Sequence, residues 1–144
     1  MKEDLTIFYA DDDQDDLEFF REIVGEIGEH YNVVTQSNGE ELLKAINNPP
    51  PHPYVVFLDI NMPGITGLEV LKKLRADNQH KELPVVMFST SKDDEIIEKS
   101  RQLGASYYMP KSGMFDQLKQ SIAHALSINW RSFSANDKNF VYNT

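Results

Sequence analysis

The chain of 144 residues contains no cysteine. Disulfides, thiolate nucleophiles and cysteine zinc sites are therefore excluded. No apolar run approaches the roughly 20 residues that a membrane-spanning helix needs. The first residues, Met-Lys-Glu-Asp, also lack the apolar stretch of a signal peptide. We therefore expect a soluble, cytoplasmic protein without a membrane partner.

Positive charge is also scarce in this sequence. Lysine and arginine together number 14, against 23 aspartates and glutamates, which gives a net charge of -9. A nucleic-acid surface needs clustered basic residues, so we expect no nucleic-acid partner. Five aspartates lie close together near the N-terminus: Asp11, Asp12, Asp13, Asp15 and Asp16. The length allows one domain with a proper core and is too short for two ordinary ones.

Five short apolar runs alternate with amphipathic segments along the chain. The runs are typical of buried strands and cover residues 5–10, 31–35, 54–58, 84–88 and 106–109. Helical spacing follows each run, and Asn38, Thr66 and Ser91 are predicted to cap the second, third and fourth helices. Alternating strands and helices indicate a parallel sheet covered on both faces. The predicted fold is α/β: one doubly wound, flavodoxin-like sheet of five strands in the common order 2-1-3-4-5, flanked by five helices.

The end of the chain differs from the rest. We expect one domain over residues 1–128, followed by a tail over residues 129–144. The tail is polar but carries four large aromatic residues: Trp130, Phe133, Phe140 and Tyr142. It is either disordered or docked through these aromatic side chains on the domain or on a partner. The sequence leaves both alternatives open.

Polar residues stand at the carboxyl ends of the predicted strands. Sites in open parallel sheets form at this edge, beside the point where the strand order reverses, which here lies between the first and third strands. Those two strands end in Asp11-Asp12 and in Asp59. The fourth ends in Ser89, and the fifth runs into Lys111. We therefore expect three carboxylates, a hydroxyl and an ammonium group at one edge of the sheet.

This set of groups favours phosphoryl transfer. Carboxylates held close together repel one another unless a cation neutralises them, and ligation by oxygen alone suits Mg²⁺. A metal ion placed there would neutralise both a nucleophilic carboxylate and an incoming phosphoryl group. Lys111 would add a positive charge beside that phosphoryl group, and Ser89 a hydrogen bond.

Four segments of the chain resemble the receiver domain of two-component response regulators. They are Tyr9-Ala-Asp-Asp-Asp, Phe57-Leu-Asp-Ile-Asn-Met-Pro-Gly, Met87-Phe-Ser-Thr and Gly104-Ala-Ser-Tyr-Tyr-Met-Pro-Lys111. Their order and spacing extend the resemblance from about Leu5 to Leu126. The resemblance implies that Asp59 attacks a phosphohistidine of a sensor histidine kinase, or of a histidine phosphotransfer protein, and becomes an acyl phosphate.

The resemblance also implies a metal site for Mg²⁺ or Mn²⁺. Asp12 and Asp59 would bind the ion through their carboxylates. Asn61 would bind it through its backbone carbonyl, and Asp11 would act through water.

A switch is implied as well. Ser89 would turn toward the phosphoryl group after transfer, and Tyr108 would follow by changing rotamer. This movement would repack the face formed by the fourth helix, the fifth strand and the fifth helix, where a homodimer is one possibility.

Two positions depart from the family pattern. The family usually has proline after the lysine, with a cis bond there, but Ser112 and Gly113 follow Lys111. We therefore expect a rearranged loop. Thr90 stands where a smaller residue is common, which would slow access to Asp59.

Several functions stay open at this point. We expect no enzyme activity beyond self-phosphorylation and slow autodephosphorylation, and an output through a downstream protein target, because no further domain follows in the sequence. A phosphorelay intermediate and a phosphate-independent binding module are alternatives. An aspartyl phosphohydrolase would need an acid where Asn61 stands, and a flavin carrier would need a phosphate loop in place of the first aspartates. Asp13, Asp15 and Asp16 are interpreted only as acids of a first helical turn.

Overall fold

Five strands alternate with five helices in the computed structural model, which describes residues 4–48, 54–130 and 140–142. The strands are β1 (Leu5–Ala10), β2 (Tyr31–Gln36), β3 (Tyr54–Leu58), β4 (Val85–Ser89) and β5 (Tyr107–Pro110). The helices are α1 (Gln14–Ile27), α2 (Gly39–Ile46), α3 (Gly67–Ala76), α4 (Asp94–Gln102) and α5 (Phe115–Ser127). A short 3-10 helix (Asn78–His80) follows α3. Of the helices in the described ranges, none is long and apolar enough to cross a membrane.

The strands form one parallel sheet in the order β2-β1-β3-β4-β5, which confirms the predicted topology. Ala10 pairs with Leu58, and the amide of Asp59 donates to the carbonyl of Ala10 at 3.0 Å. Because β1 and β3 stay in register to their last residues, the aspartates that follow them emerge side by side. The strand order reverses between these two strands, which is where sheets of this kind form their sites.

Apolar side chains fill both faces of the sheet. On one face Phe8 and Met87 belong to a cluster with apolar residues of α2 and α3, against which α4 packs. On the other face Ile7 and Phe57 pack with residues of α1 and α5. Successive residues of a strand point to opposite faces, and β1, β3 and β4 are buried on both. This explains why the strands are continuous apolar runs rather than alternating ones.

Side-chain caps set the start of four of the helices. The Asp13 carboxylate accepts hydrogen bonds from two backbone amides of the first turn of α1. Asn38 caps α2, and Thr66 forms the predicted capping box with Glu69 at the start of α3. These caps fix where each helix leaves the strand end before it.

The predicted cap of α4 is wrong. Asp93, not Ser91, precedes this helix, and its carboxylate accepts a hydrogen bond from the amide of Glu95 at 2.9 Å. The Ser91 hydroxyl accepts from the amide of Asp93 at 3.2 Å, so Ser91 shapes the turn before the helix. A carboxylate caps a helix as well as a hydroxyl does, and the sequence offers both here. The predicted ends of β2, β4 and β5 differ from the structure by one residue.

Residues near the C-terminus contact the sheet. Val141 pairs with Tyr108 of β5 in a parallel bridge, and Phe140 is 2% exposed. Trp130 packs against the cluster between the sheet and helices α1 and α5. Phe133, the remaining aromatic residue of the predicted tail, lies outside the described residues.

Candidate functional site

Three carboxylates meet at the carboxyl ends of β1 and β3. Oxygens of Asp11, Asp12 and Asp59 all lie within 4.8 Å of one another. Asp11 and Asp59 are buried, at 1% and 7% exposure, whereas Asp12 is exposed. A cluster of oxygen donors that is partly open to solvent fits a hard divalent cation such as Mg²⁺, which keeps several of its waters.

The Lys111 ammonium lies within this cluster, and its side chain is 9% exposed. Its Nζ is 2.5 Å from Asp11 Oδ2, 3.0 Å from Asp16 Oδ2 and 3.6 Å from Asp59 Oδ1. Burial opposes its charge, but the hydrogen bond to Asp11 and the nearby negative charges raise the pKa of Lys111. Lys111 is therefore a fixed positive charge beside Asp59.

Asp11 is held by three donors. Its Oδ2 accepts from the Tyr9 hydroxyl at 2.5 Å as well as from Lys111, and its Oδ1 accepts from the amide of Asp13 at 3.0 Å. Burial opposes ionisation, but the hydrogen bonds from Lys111 and Tyr9 lower the pKa of Asp11. Asp11 is therefore ionised and already well supplied with donors, an arrangement compatible with the predicted contact through water.

Tyr9 also belongs to the site, although the sequence alone assigns it no role. Burial, together with the charge of Asp11, raises the pKa of Tyr9, so its hydroxyl remains a donor. Its ring lies 4.5 Å from that of Phe20 and 5.7 Å from that of Phe88, which fixes the hydroxyl in place. Its spacing from Asp11 could have indicated this role. Residues two positions apart on a strand point to the same face of the sheet.

Asp16 also does more than the sequence predicts. It lies in the first turn of α1, as expected, but its Oδ2 is 3.0 Å from Lys111 Nζ. The interpretation of Asp16 as only an acid of a helical turn is therefore wrong. The two residues are far apart in sequence, so helical periodicity alone gives no sign of the contact.

Asp59 has an unusual protonation equilibrium. Burial raises its pKa to about 7; the Lys111 charge opposes this shift, and the Asp11 charge adds to it. Without a cation, Asp59 therefore holds its proton to a higher pH than an ordinary aspartate does. Because a cation beside a carboxyl group favours its charged form, a bound divalent ion would bring Asp59 into the nucleophilic state.

The comparisons with known proteins identify the family. The family model described as "Response regulator receiver domain" matches residues 7–123. This chain belongs to that family. A cyclic di-GMP phosphodiesterase of Thermotoga maritima is 30% identical over 125 residues, which make up 85% of this receiver and 31% of that protein. The receiver domain thus spans less than a third of that curated relative, and 16% of a cyclic-nucleotide phosphodiesterase of Dictyostelium discoideum.

Solved structures with the same fold include two receivers of comparable identity. The phosphorylated cyanobacterial phytochrome response regulator RcpA is 29% identical, with a TM-score of 0.76, over 90% of this chain and 96% of that one. The response regulator TrrA of Thermotoga maritima, in complex with Mg²⁺ and BeF, is 32% identical, with a TM-score of 0.68. That match covers 83% of this chain and 96% of TrrA.

The two predicted switch residues of this receiver domain are connected through the loop after β4. Ser89 is fully buried, and its Oγ accepts from the amide of Ser91 at 3.3 Å. The Tyr108 hydroxyl donates to the carbonyl of Ser91 at 2.8 Å, and the Tyr108 side chain is also fully buried. Ser91 therefore bridges the residue beside the acidic pocket and the aromatic ring on β5.

The backbone of Lys111 is held by β4, although serine follows this lysine in place of proline. The Lys111 amide donates to the Ser89 carbonyl at 2.8 Å, and the described residues contain no cis peptide bond. The Ser112 hydroxyl accepts from the amide of Met114 at 3.1 Å, just before α5. Asn61, two residues after Asp59, is exposed. Thr90, the residue after β4, is also exposed.

A cavity of about 160 Å³ lies beside the carboxylate cluster and includes Asp16, Thr90 and Lys111 in its lining. Phe19 also lines it and is 49% exposed. Met114, at the start of α5, is 62% exposed. Part of the lining of this cavity is therefore exposed apolar surface.

Proposed function

We propose that this receiver domain is a phosphoacceptor module in a two-component phosphorelay. Asp59 accepts a phosphoryl group from a sensor histidine kinase or a histidine phosphotransfer protein. The observation that carries the proposal is the convergence of Asp59, two further carboxylates and Lys111 in one pocket. Membership of the receiver family supports it.

The transfer uses groups already in the pocket. A carboxylate oxygen of Asp59 forms a bond to phosphorus while the bond from phosphorus to the donor nitrogen breaks. The imidazole leaves with the electron pair of that bond and is protonated. Lys111, whose Nζ is 3.6 Å from Asp59 Oδ1, holds the transferred oxygens by its charge. Ser89 adds a hydrogen bond and then acts with Tyr108 as the switch.

Asp12, Asp59 and the backbone carbonyl of Asn61 would hold Mg²⁺ or Mn²⁺, with Asp11 acting through water. When bound, the ion supplies positive charge that neutralises the carboxylates and the phosphoryl oxygens. The oxygen donor set of this chain fits such an ion. The complex of TrrA with Mg²⁺ and BeF supports the same metal here.

A protein serves as phosphodonor and another as downstream target. The exposed apolar side chain of Phe19, in the cavity that Lys111 also lines, supports a protein donor. Phe19→Ser should leave labelling by acetyl phosphate unchanged and slow labelling by a phosphorylated kinase or phosphotransfer protein that labels the wild type. Equal slowing with both donors would contradict this role.

The receiver domain covers residues 1–128 and the tail residues 129–144, and the protein acts in the cytoplasm. Its chemistry is self-phosphorylation and slow autodephosphorylation. We do not propose phosphodiesterase activity for this chain, because it matches less than a third of the length of the phosphodiesterase relatives.

The test is incubation with acetyl phosphate or phosphoramidate, with and without Mg²⁺, followed by intact mass measurement. We expect a single phosphoryl adduct that requires Mg²⁺ and is absent in Asp59→Asn. No adduct on the folded protein under any condition would contradict the proposal and would favour a phosphate-independent binding module.

Asp12→Ala tests the metal ligands separately. This variant should lose Mg²⁺ affinity and phosphorylation together, because the exposed carboxylate of the cluster is missing. Asp15→Ala is the matched control, since Asp15 is a neighbouring acid on the first turn of α1 and outside the cluster. Normal phosphorylation of Asp12→Ala would contradict the ligand assignment.

A further inference from the structure

The outer edge of β5 is covered by residues 140–142, here called the C-terminal segment. The amide of Tyr108 donates to the carbonyl of Phe140 at 2.9 Å, and the amide of Tyr142 donates to the carbonyl of Tyr108 at 2.9 Å. Val141 is the bridge partner of Tyr108, in parallel orientation. The segment therefore extends the sheet and satisfies both outward backbone groups of Tyr108.

The side chains of the segment reach both layers of the domain. Phe140 is 2% exposed and belongs to the same apolar cluster as Tyr108 and Ala105. Tyr142 packs against the opposite cluster, and its ring lies 5.2 Å from that of His124 on α5. The segment therefore lies over the middle of the face that α4, β5 and α5 form.

An edge strand whose amides and carbonyls are unpaired is a template for another strand. On β5 the C-terminal segment takes that position with backbone pairing and a buried phenylalanine. A second protein that used this edge would need the same two backbone groups of Tyr108. Binding of the segment and binding of such a partner therefore exclude each other.

We infer that the face formed by α4, β5 and α5 is a strand-accepting surface occupied by the chain's own C-terminal segment, which keeps a second copy of the chain from pairing through β5. A homodimer through this face, one possibility from the sequence, would then require that the segment leave. This inference is independent of whether Asp59 is phosphorylated.

The segment also contacts the residue that leads toward the acidic pocket. It holds the backbone of Tyr108, whose hydroxyl donates to the carbonyl of Ser91. Ser91 in turn donates its amide to Ser89 Oγ. Release of the segment would free the backbone of Tyr108 without touching the carboxylates.

The experiment compares the full chain with a variant that lacks residues 140–144 and a control that lacks residues 143–144. Amide hydrogen exchange reports the Tyr108 amide, and sedimentation velocity at increasing protein concentration reports the oligomeric state. We expect the full chain and the control to be monomers with a protected Tyr108 amide. The variant lacking 140–144 should exchange at Tyr108 at least about tenfold faster and form dimers, while β1 and β3 stay protected.

Three results would overturn the inference. The first is unchanged exchange at Tyr108. The second is a truncated protein that exchanges faster but stays monomeric, because the segment then excludes no second copy. The third is a full chain that is dimeric and becomes monomeric on truncation, because the segment then pairs with the partner copy. Should the truncated chain fail to fold, Phe140→Ser provides the same comparison in a chain of full length.

Discussion

At the scale of the residue, burial and two neighbouring charges together set the pKa of Asp59. Burial at the end of β3 removes most of the solvent contact of the carboxylate, and it also raises the pKa of Asp59 to about 7. Lys111 offsets part of this shift, because its ammonium lies 3.6 Å away. The charge of Asp11 acts in the opposite direction. A cation bound beside Asp59 would therefore favour its charged form.

Asp59→Asn should stabilise the metal-free protein in a way that depends on pH. An aspartate in an unfolded chain titrates near ~3.9, well below the folded value of about 7. Between these values the folded state holds a proton that the unfolded state has released, so the free energy of unfolding falls as pH rises. The variant should be about 1–3 kcal/mol more stable than the wild type at about pH 8, and equally stable below about pH 4.

Urea unfolding across this pH range measures the difference between Asp59→Asn and the wild type. Glu29→Gln, at an exposed turn carboxylate, is the control and should shift the stability by less than about 0.5 kcal/mol. A difference for Asp59→Asn that does not change with pH would show that the titration of Asp59 does not affect stability.

Tyr9→Phe should weaken the metal site while leaving the fold intact. The change removes only the hydroxyl that donates to Asp11 Oδ2, and the ring keeps its contacts with Phe20 and Phe88. Loss of a partner behind a metal-site group typically lowers metal affinity roughly 10–100-fold. Calorimetric titration with Mg²⁺ checks this, with Tyr31→Phe on β2 as the matched control. Equal affinities in all three proteins would contradict a positioning role for Tyr9.

The residues of the site could be predicted from the sequence only where they stand at the end of a strand. Asp11, Asp12, Asp59 and Lys111 follow strands whose ends share one edge, so topology alone brings them together. The contact of Asp16 with Lys111 depends on how α1 leans over that edge. No local pattern contains this information.

At the scale of the element, the loop between β3 and α3 is shaped by a close backbone approach. A Cβ atom at Gly67 would overlap the carbonyl oxygen of Asp59 and lie 2.8 Å from the Cα of Ile60. The Gly67 amide donates to the carbonyl of Ile60 at 2.9 Å. The first residue of α3 therefore packs directly against the backbone of Asp59.

Gly67→Ala should move the Asp59 backbone and reduce both stability and phosphorylation. A rigid backbone neighbour cannot yield as a flexible side chain can, so we expect a loss of about 2–4 kcal/mol. Gly25→Ala is the control in the exposed interior of α1, where the added methyl group meets nothing within 4 Å beyond the neighbouring backbone of its own helix. It should gain about 0.5–1 kcal/mol. Denaturant unfolding and acetyl phosphate labelling measure both effects, and a Gly67→Ala protein that labels normally would contradict the account.

The elements themselves are well predicted where hydrophobic pattern decides them. Strands buried on both faces give continuous apolar runs, and helices with one buried face give helical spacing, so their order is readable. The start of α4 cannot be predicted in this way. Ser91 and Asp93 can both cap a helix, and the sequence does not show which of the two does so. In the structure Asp93 caps it.

At the scale of the whole molecule, the sheet has two different edges. The β2 edge has a half-exposed strand, whereas the β5 edge is paired with residues 140–142. The acidic pocket lies between them, where the strand order reverses between β1 and β3. This separation allows the chemistry at the pocket and the binding surface at β5 to be tested independently.

The central claim is that Asp59 is the phosphoacceptor, and the most direct measurement is to locate the adduct chemically. The protein is phosphorylated with phosphoramidate and Mg²⁺ and then reduced with borohydride, which converts an acyl phosphate to a hydroxymethyl group. Tandem mass spectrometry of the peptides identifies the position. We expect the reduced group at position 59 only, and only when Mg²⁺ is present. Reduction at Asp11 or Asp12 instead, or labelling independent of Mg²⁺, would contradict the account.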